Sequence, residues 1–447
     1  MRILIDLQGS QATHRGRGIG RYSLSLAKAL VRQKGIHEIQ LLLNGHFPKS
    51  VDEIKQVFFG SLPASHVHVW KALDPTDDLW TENHERRRLA HQVRQAIIDA
   101  IAPDLVLLTS LFEGPGNSGL VDIDSDGPPV AVVLYDLIPL VHQDTYLTDP
   151  TVKDWYFSRL EKLRKANTLL AISEYSRQEA IRYLNWDADK IANISAACDD
   201  IFSPSIVNDV VKQNWREKYG LCRPFLMYTG GVDKRKNIEI LIRAYALLGQ
   251  ELRNEHQLLI VCAVDDDNRN RLFQVASNAG LSHGEMIMTG YVEDAELVAF
   301  YNGCKAFVFP SWHEGFGLPV LEAMRCGAAV ITSNTSSLPE VLNMPDAQFD
   351  PFDQDAIRDR IQWVLTGKEV RQSLQSHSIT QAETFNWDLT AKEAISNKLP
   401  LSCPASTEST EGTGEIEEAP TELISEAGHA VLAGHETHSF RVYPDLT

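Results

Sequence analysis

Residues 313–327, HEGFGLPVLEAMRCG, set two carboxylates, Glu314 and Glu322, eight residues apart around a Gly-Phe-Gly turn. Gly315 and Gly317 let the backbone turn tightly and approach a ligand closely. Leu318 and Pro319 then open a helix, because proline in a first turn forfeits no needed N–H. Free amides at such a helix start suit a phosphate or a sugar hydroxyl. Glu322, about one turn inside, can accept bonds from a ribose diol. Glu314, ahead of the helix, can reach a different part of the same molecule. The spacing therefore serves one long ligand held at two points. The plain alternative makes Glu314 a helix cap and Glu322 a solvated helix residue; Phe316 between two glycines, in a strand–loop–helix setting, weighs against it.

Three further stretches carry chemistry-bearing residues. In YTGGVDKRKN a strand ends at Gly230 and Gly231, and Arg235 and Lys236 stand before a helix that starts near Asn237. Two cations between a strand end and a helix start can clamp a diphosphate whose charge grows as it leaves; a solvated basic turn would look the same. Near the N-terminus, Gly18, Ile19 and Gly20 close a glycine-rich loop that opens on a helix. Its spacing is not the dinucleotide G-x-G-x-x-G, so contact with a phosphate or an acceptor fits better than a cofactor fingerprint. Finally, VVLYDLIPLVH leaves Tyr135, Asp136 and His142 after one strand, and LLAISEYS leaves Ser173, Glu174 and Ser176 after another. A histidine of this kind can equally be a hydrogen-bonded loop residue, and Asp136 a turn cap.

These residues need strands to deliver them. Short apolar runs alternate with helix-period stretches through most of the chain: RILIDL, IQLLLN, VHVW, DLVLLTS, VAVVLYD, TLLAIS and KIANISAA, then FLMYTG, QLLIVCAV, EMIMTGYV, KAFVFPS and AAVIT. Near-continuous apolar strands separated by helices indicate parallel sheets covered on both faces. Two such series predict an α/β protein of two Rossmann-like domains, one over 1–205 and one over 206–384, with the join inside 199–223. Residues 385–400 form a closing helix, and the Ser-, Thr- and Glu-rich stretch 401–447 reads as a disordered tail, too poor in apolar residues to build a core. Ligands of open parallel sheets sit beyond the carboxyl ends of the strands, where every candidate above falls.

At 447 residues and a formal charge of −18, the chain is acidic, which argues against nucleic acid as a partner. Six cysteines without a C-x-x-C pair fit neither a disulfide framework nor a zinc site. MRILIDLQGS lacks the apolar core of a signal peptide. A cytoplasmic location follows, with association at the inner face of a membrane left open.

SWHEGFGLPVLEAMRCGAAVITSNTSSLPEV, together with YTGGVDKRKN downstream of AISEYSRQEA, resembles glycosyltransferase family 4, whose members are retaining, nucleotide-sugar-dependent enzymes of the GT-B fold. The resemblance covers about residues 1–400. It implies that Glu314 contacts the donor sugar, that Glu322 contacts the nucleotide ribose, and that Gly315, Phe316 and Gly317 offer backbone contacts. Arg235 and Lys236 match phosphate-binding positions, and Gly18–Gly20 match the family's N-terminal glycine loop. The family works without a bound metal or other cofactor. Two departures stand out: Gly231 replaces an arginine common in relatives, and Tyr135 replaces a histidine before Asp136. The segments YDLIPL and GIGRY are similar to mannosyltransferases of bacterial surface polysaccharides, implying GDP-mannose as donor and a glycan or lipid-linked oligosaccharide as acceptor. The rival readings are a sugar-nucleotide epimerase, a phosphorylase, and a non-catalytic nucleotide-sugar-binding subunit.

Overall fold

A computed structural model of the chain describes residues 1–11, 15 and 18–396. The tail expected over 401–447 lies outside the described residues. Two parallel sheets organise the rest. The first holds β1 (Arg2–Asp6), β2 (Glu38–Asn44), β3 (Val67–Trp70), β4 (Leu105–Leu108), β5 (Val130–Leu134), β6 (Thr168–Ala171) and β7 (Ile191–Asn193). Their spatial order is β3-β2-β1-β4-β5-β6-β7. The second holds β8 (Phe225–Thr229), β9 (Gln257–Val261), β10 (Met286–Met288), β11 (Ala306–Phe309), β12 (Val330–Ser333) and β13 (Gln348–Phe349), in the order β10-β9-β8-β11-β12-β13. Every neighbouring pair is parallel. Helices cover both faces, which is why Leu226, Met227, Phe307 and Val308 are fully buried on consecutive positions.

In each sheet the strand order reverses once, between β1 and β4 and between β8 and β11. Loops leaving the two central strands diverge there and open a crevice at their carboxyl ends. The loops after β8 and β11 are the ones that carry Gly230–Lys236 and Ser311–Gly317. The chain after β1 leads to the Gly18–Arg32 helix, so Gly18, Ile19 and Gly20, expected in a loop, form that helix's first turn.

The segment between the sheets is not irregular throughout: Asp209–Tyr219 is a helix with its Asn208 side chain capping it. Only Trp215 of that helix is buried, stacked on Phe300 at 4.7 Å, so its helical period is nearly silent in the sequence. The strand expected over KIANISAA stops at Asn193, and β13, two residues long, gave no apolar run to recognise. The helix Trp387–Ser396 lies against the first lobe: Trp387 meets Tyr22 edge-on at 5.0 Å, and Arg32 pairs with Asp388 at 2.7 Å.

Candidate functional site

β11 ends in Pro310, and the chain then crosses the mouth of the second sheet as Ser311–Gly317. Gly317 adopts φ +100°, and a β-carbon there would fall 2.5 Å from Leu338 Cδ2, so both its conformation and its surroundings demand glycine. Ser337 Oγ lies 2.9 Å from the Glu314 carbonyl oxygen and 2.8 Å from that of Phe316, and the Glu314 amide donates to Ser336 Oγ at 3.0 Å. The turn is thus fixed from beneath by the two serines after β12. Phe316 is buried, its ring edge-on to Phe385 at 5.6 Å and its carbonyl taken by Ser337.

The fixed turn presents Glu314 to both cations of the loop after β8. Arg235 Nη1 donates to Glu314 Oε2 at 3.0 Å, and Lys236 Nζ reaches Oε1 at 2.8 Å and Oε2 at 3.0 Å. Burial alone would raise the Glu314 carboxyl, but the fields of Lys236 and then Arg235 overcome it and hold the group at about 2. Glu314 is therefore ionised at any working pH. The cations differ from each other. Arg235 is sealed, at 2 % exposure, donating also to the His313 carbonyl at 3.2 Å. Lys236 lies nearer the surface, its ammonium over the Phe309 ring at 5.7 Å. Arg235 thus lies behind Glu314, whereas Lys236 is the more exposed of the two cations. Gly230, at φ +148°, keeps the backbone close to the Tyr228 hydroxyl, which donates to the Gly231 carbonyl at 2.9 Å.

Glu322 meets the opposite environment. It accepts from the Tyr301 hydroxyl at 2.9 Å. Burial pushes its carboxyl up to about 7, opposed by the Tyr301 bond and the Arg21 charge and reinforced by Asp199 and Asp294. Two carboxylates eight residues apart thus differ by several decades of acidity because one faces two cations and the other is buried without a cation close enough to offset burial. Pairs driven apart in this way mark sites with divided roles.

The first lobe closes on this turn. A β-carbon on Gly315 would stand 2.6 Å from the Tyr135 carbonyl oxygen and 3.1 Å from Asp136 Oδ2. Ser176 Oγ bridges the lobes, 2.8 Å from the Tyr135 carbonyl and 3.1 Å from that of Gly315. Asp136 accepts from the Ile138 amide at 3.0 Å; burial raises its carboxyl, partly offset by Arg235. Arg21 pairs with Asp294, Tyr146 donates to Asp233, and Glu340 accepts from the amides of Glu174 and Tyr175 at 3.0 and 3.1 Å, all across the same cleft.

The remaining candidates divide. The Gly18–Arg32 helix begins beside the cleft; Gly20 packs on the Arg15 backbone, and the Ile19 carbonyl sits 3.4 Å from the Tyr135 hydroxyl. Tyr135 turns inward, its hydroxyl 3.0 Å from both Ser23 Oγ and the Thr109 carbonyl, and burial raises its phenol. Ser173 is spent as a cap, accepting from the Ser176 amide at 3.0 Å. His142 joins the site through His313, Nε2 to Nδ1 at 2.8 Å. Tyr301, Ser336, Ser337, Glu179 and Glu340 were not singled out from sequence. Each acts through a partner far along the chain, and no local spacing signals it. Among the described residues, no group of three or more His, Cys, Asp and Glu is placed to hold a metal ion. No described helix is long and apolar enough to cross a membrane.

Two parallel-sheet lobes, with an E-x7-E turn, a basic loop and the glycine-containing start of the Gly18–Arg32 helix at the cleft, define the GT-B class of architecture. The model of the family described as "Glycosyl transferases group 1" matches residues 211–380. The chain is 38% identical over 398 residues to the Escherichia coli serotype-specific mannosyltransferase WbdA, covering 88% of this chain and 47% of that protein. It is 32% identical over 383 residues to the Escherichia coli O-antigen chain mannosyltransferase B, covering 85% and 94%. The chain belongs to the group 1 glycosyltransferase family, and it spans about half the length of the WbdA proteins it matches. Among solved structures, sucrose-phosphate synthase from Thermosynechococcus elongatus superposes with a TM-score of 0.64 at 18% identity, covering 88% of this chain and 97% of that one. Anabaena Alr3699/HepE in complex with UDP and glucose gives 0.61 at 16%, covering 88% and 98%. These likenesses speak to the fold.

Proposed function

We propose that the chain is a retaining mannosyltransferase that moves mannose from GDP-mannose to a glycan or lipid-linked acceptor in surface-polysaccharide synthesis, working at the inner face of a membrane. The observation that carries this reading is the Arg235–Lys236–Glu314 cluster at the β8/β11 crevice, with Asp136 and Gly315 in contact across the lobes. The names of the two Escherichia coli relatives support the sugar and the product class.

In this reading Glu322 holds the ribose, the Leu318 end of its helix and Lys236 hold the diphosphate, and the hexose lies by Glu314. The bond from the anomeric carbon to the diphosphate oxygen breaks, and charge grows on that oxygen. Lys236 and the helix amides stabilise the growing charge more than the ground state, which is the source of rate. The acceptor oxygen attacks from the same face, and its proton passes to the departing phosphate oxygen. Glu314, hydrogen-bonded to two cations and ionised, is a poor nucleophile and a good anchor for sugar hydroxyls. Closure of the lobes keeps water from the donor.

The test is to offer a panel of nucleotide sugars with mannose-terminated acceptors, follow release of nucleoside diphosphate, and read the anomeric configuration of the product by NMR. GDP-mannose should be the preferred donor, with its configuration retained. Preference for another nucleotide sugar would overturn the donor, an inverted product would overturn retention, and a covalent glycosyl adduct on Glu314 would overturn front-face attack.

A further inference from the structure

Two aromatic rings stand at the mouth of the cleft, outside the donor site described above. Trp312 lies two residues before Glu314 in the loop after β11, and Phe352 lies in the loop after β13. Their centroids are 6.3 Å apart and their planes 34° from parallel. Phe352 is 67 % exposed, and Trp312 is partly so. The first lobe meets the pair through His142, whose ring stands edge-on to Trp312 at 4.6 Å.

Both rings sit on backbone that is pinned. The Trp312 amide donates to the Arg235 carbonyl at 3.0 Å, and Thr335 Oγ1 donates to the Trp312 carbonyl at 2.9 Å. Asn237 Nδ2 donates to the Pro310 carbonyl at 3.2 Å and to the Pro351 carbonyl at 2.7 Å. One side chain therefore ties the loop that carries Trp312 to the loop that carries Phe352. The Phe352 amide is held in turn by Asp350 Oδ1 at 2.8 Å. A single exposed apolar residue needs no explanation. Two rings fixed side by side at the lip of a ligand cleft are a different matter, since binding sites are lined in this way.

Two rings alone offer far less than the ~800 Å2 per partner of a stable protein interface. They suit a hexose. A pyranose presents a face of C–H groups with hydroxyls around its rim, so it can lie flat on an aromatic face while the hydroxyls stay in water. Resting on the glycan acceptor proposed above, we propose that Trp312 and Phe352 form a stacking platform for that glycan, taking the hexoses behind the one that receives the new sugar. The rings lie outward of the Glu314 turn along the same loop, so a chain whose end reaches the turn crosses them on its way out of the cleft. His142 buttresses Trp312 from the first lobe, and the platform is complete only with the lobes together.

The experiment uses the whole chain in the presence of GDP and measures Kd for α-mannotriose and for methyl α-mannoside by saturation-transfer NMR. Mannotriose should bind the more tightly. Phe352→Ala should cut the ratio of the two affinities about tenfold, the scale of one stacked ring. Phe352→Trp should keep the ratio, and Phe352→Leu, apolar but without an aromatic face, should lose it as Ala does. In transfer assays the ratio of kcat/KM for the two acceptors should fall by the same factor. Trp312→Leu should act alike; should it fail to fold, the Phe352 variants decide alone. An unchanged ratio in Phe352→Ala, a ratio kept by Phe352→Leu, or no binding of mannotriose to the unaltered protein would each overturn the inference. So would a Phe352→Ala variant that loses binding to phosphatidylglycerol vesicles, or loses self-association, with its mannotriose Kd unchanged, because the rings would then face a membrane or a second copy. If the unaltered protein transfers from no nucleotide sugar, the function proposed above fails, and the Kd series still decides the platform.

Discussion

Replacing Glu314 by Gln tests whether the E-x7-E turn is held together by charge. The carboxyl falls from its ordinary 4.5 to about 2 in the folded protein. Each tenfold in proton affinity is about 1.4 kcal/mol, so ionised Glu314 contributes on the order of 3 kcal/mol at neutral pH. A glutamine keeps the shape but leaves Arg235, sealed at 2 % exposure, with much weaker compensation, and breaking a buried pair costs ~3–5 kcal/mol. The two routes agree on about 3 kcal/mol. The sign follows from the lowered value: the contribution is present above pH ~4.5 and is lost as pH falls toward 2. The stability gap between the unaltered protein and Glu314→Gln should therefore be about 3 kcal/mol at pH 7 and shrink to roughly half by pH 3. Denaturant titrations followed through the second lobe at both pH values measure it. A gap under about 1 kcal/mol at pH 7, or one that does not change with pH, would mean that the cluster is held by packing and that Glu314 is not its organising charge.

The site supports three more expectations. Because burial raises Glu322 to about 7, its ability to accept from a ribose diol grows as it ionises, so KM for the donor should fall between pH 6 and 8; Glu322→Gln should flatten that slope and raise KM throughout. Gly315→Ala would drive a methyl to 2.6 Å from the Tyr135 carbonyl, so the melting temperature should drop, by the ~1–3 kcal/mol of an overpacked site, and transfer should fall with it. Glu340→Ala removes a carboxylate that caps the Glu174–Leu184 helix from the other lobe; at about 1 kcal/mol for a lost cap, it should enlarge the radius of gyration by small-angle scattering and raise KM more than it lowers kcat.

Much of the architecture was legible because both faces of each sheet are covered. Leu105–Leu108 and Val130–Leu134 are wholly buried strands, and wholly buried strands spell themselves as unbroken apolar runs. Where burial is partial the signal fades: β13 contributes two residues, and Asp209–Tyr219 shows one buried residue in eleven. The loops carrying the candidates were legible for a different reason, since the carboxyl ends of parallel strands are where ligands go, and Asp136, Glu314 and Lys236 stand in the loops that leave such ends at Leu134, Phe309 and Thr229. What could not be read was which of two neighbouring cations is sealed. Arg235 and Lys236 are adjacent in sequence, and only the packing of the Ser311–Gly317 loop decides that Arg235 lies behind Glu314 and Lys236 beside it. Tyr135 and Ser173 looked like cleft residues for the same positional reason, but Ser23, Thr109 and Ser176 engage them first.

The two lobes share the site rather than enclose it. Gly315 touches Asp136, Ser176 spans Tyr135 and Gly315, and His313 of one lobe lies between His142 and Glu179 of the other. A lobe movement of even an ångström would therefore lengthen hydrogen bonds that depend on 2.8–3.1 Å separations. The serines that hold that turn, Ser336 and Ser337, belong to the second lobe alone, so Glu314, Arg235 and Lys236 keep their arrangement when the lobes part. On the proposed reading, in which Lys236 and the Leu318 helix end hold the diphosphate and both lobes meet the sugar, opening should spare affinity for the nucleotide and impair placement of the sugar. On that reading nucleotide binding and sugar transfer are separable, and variants at the lobe contacts should divide them.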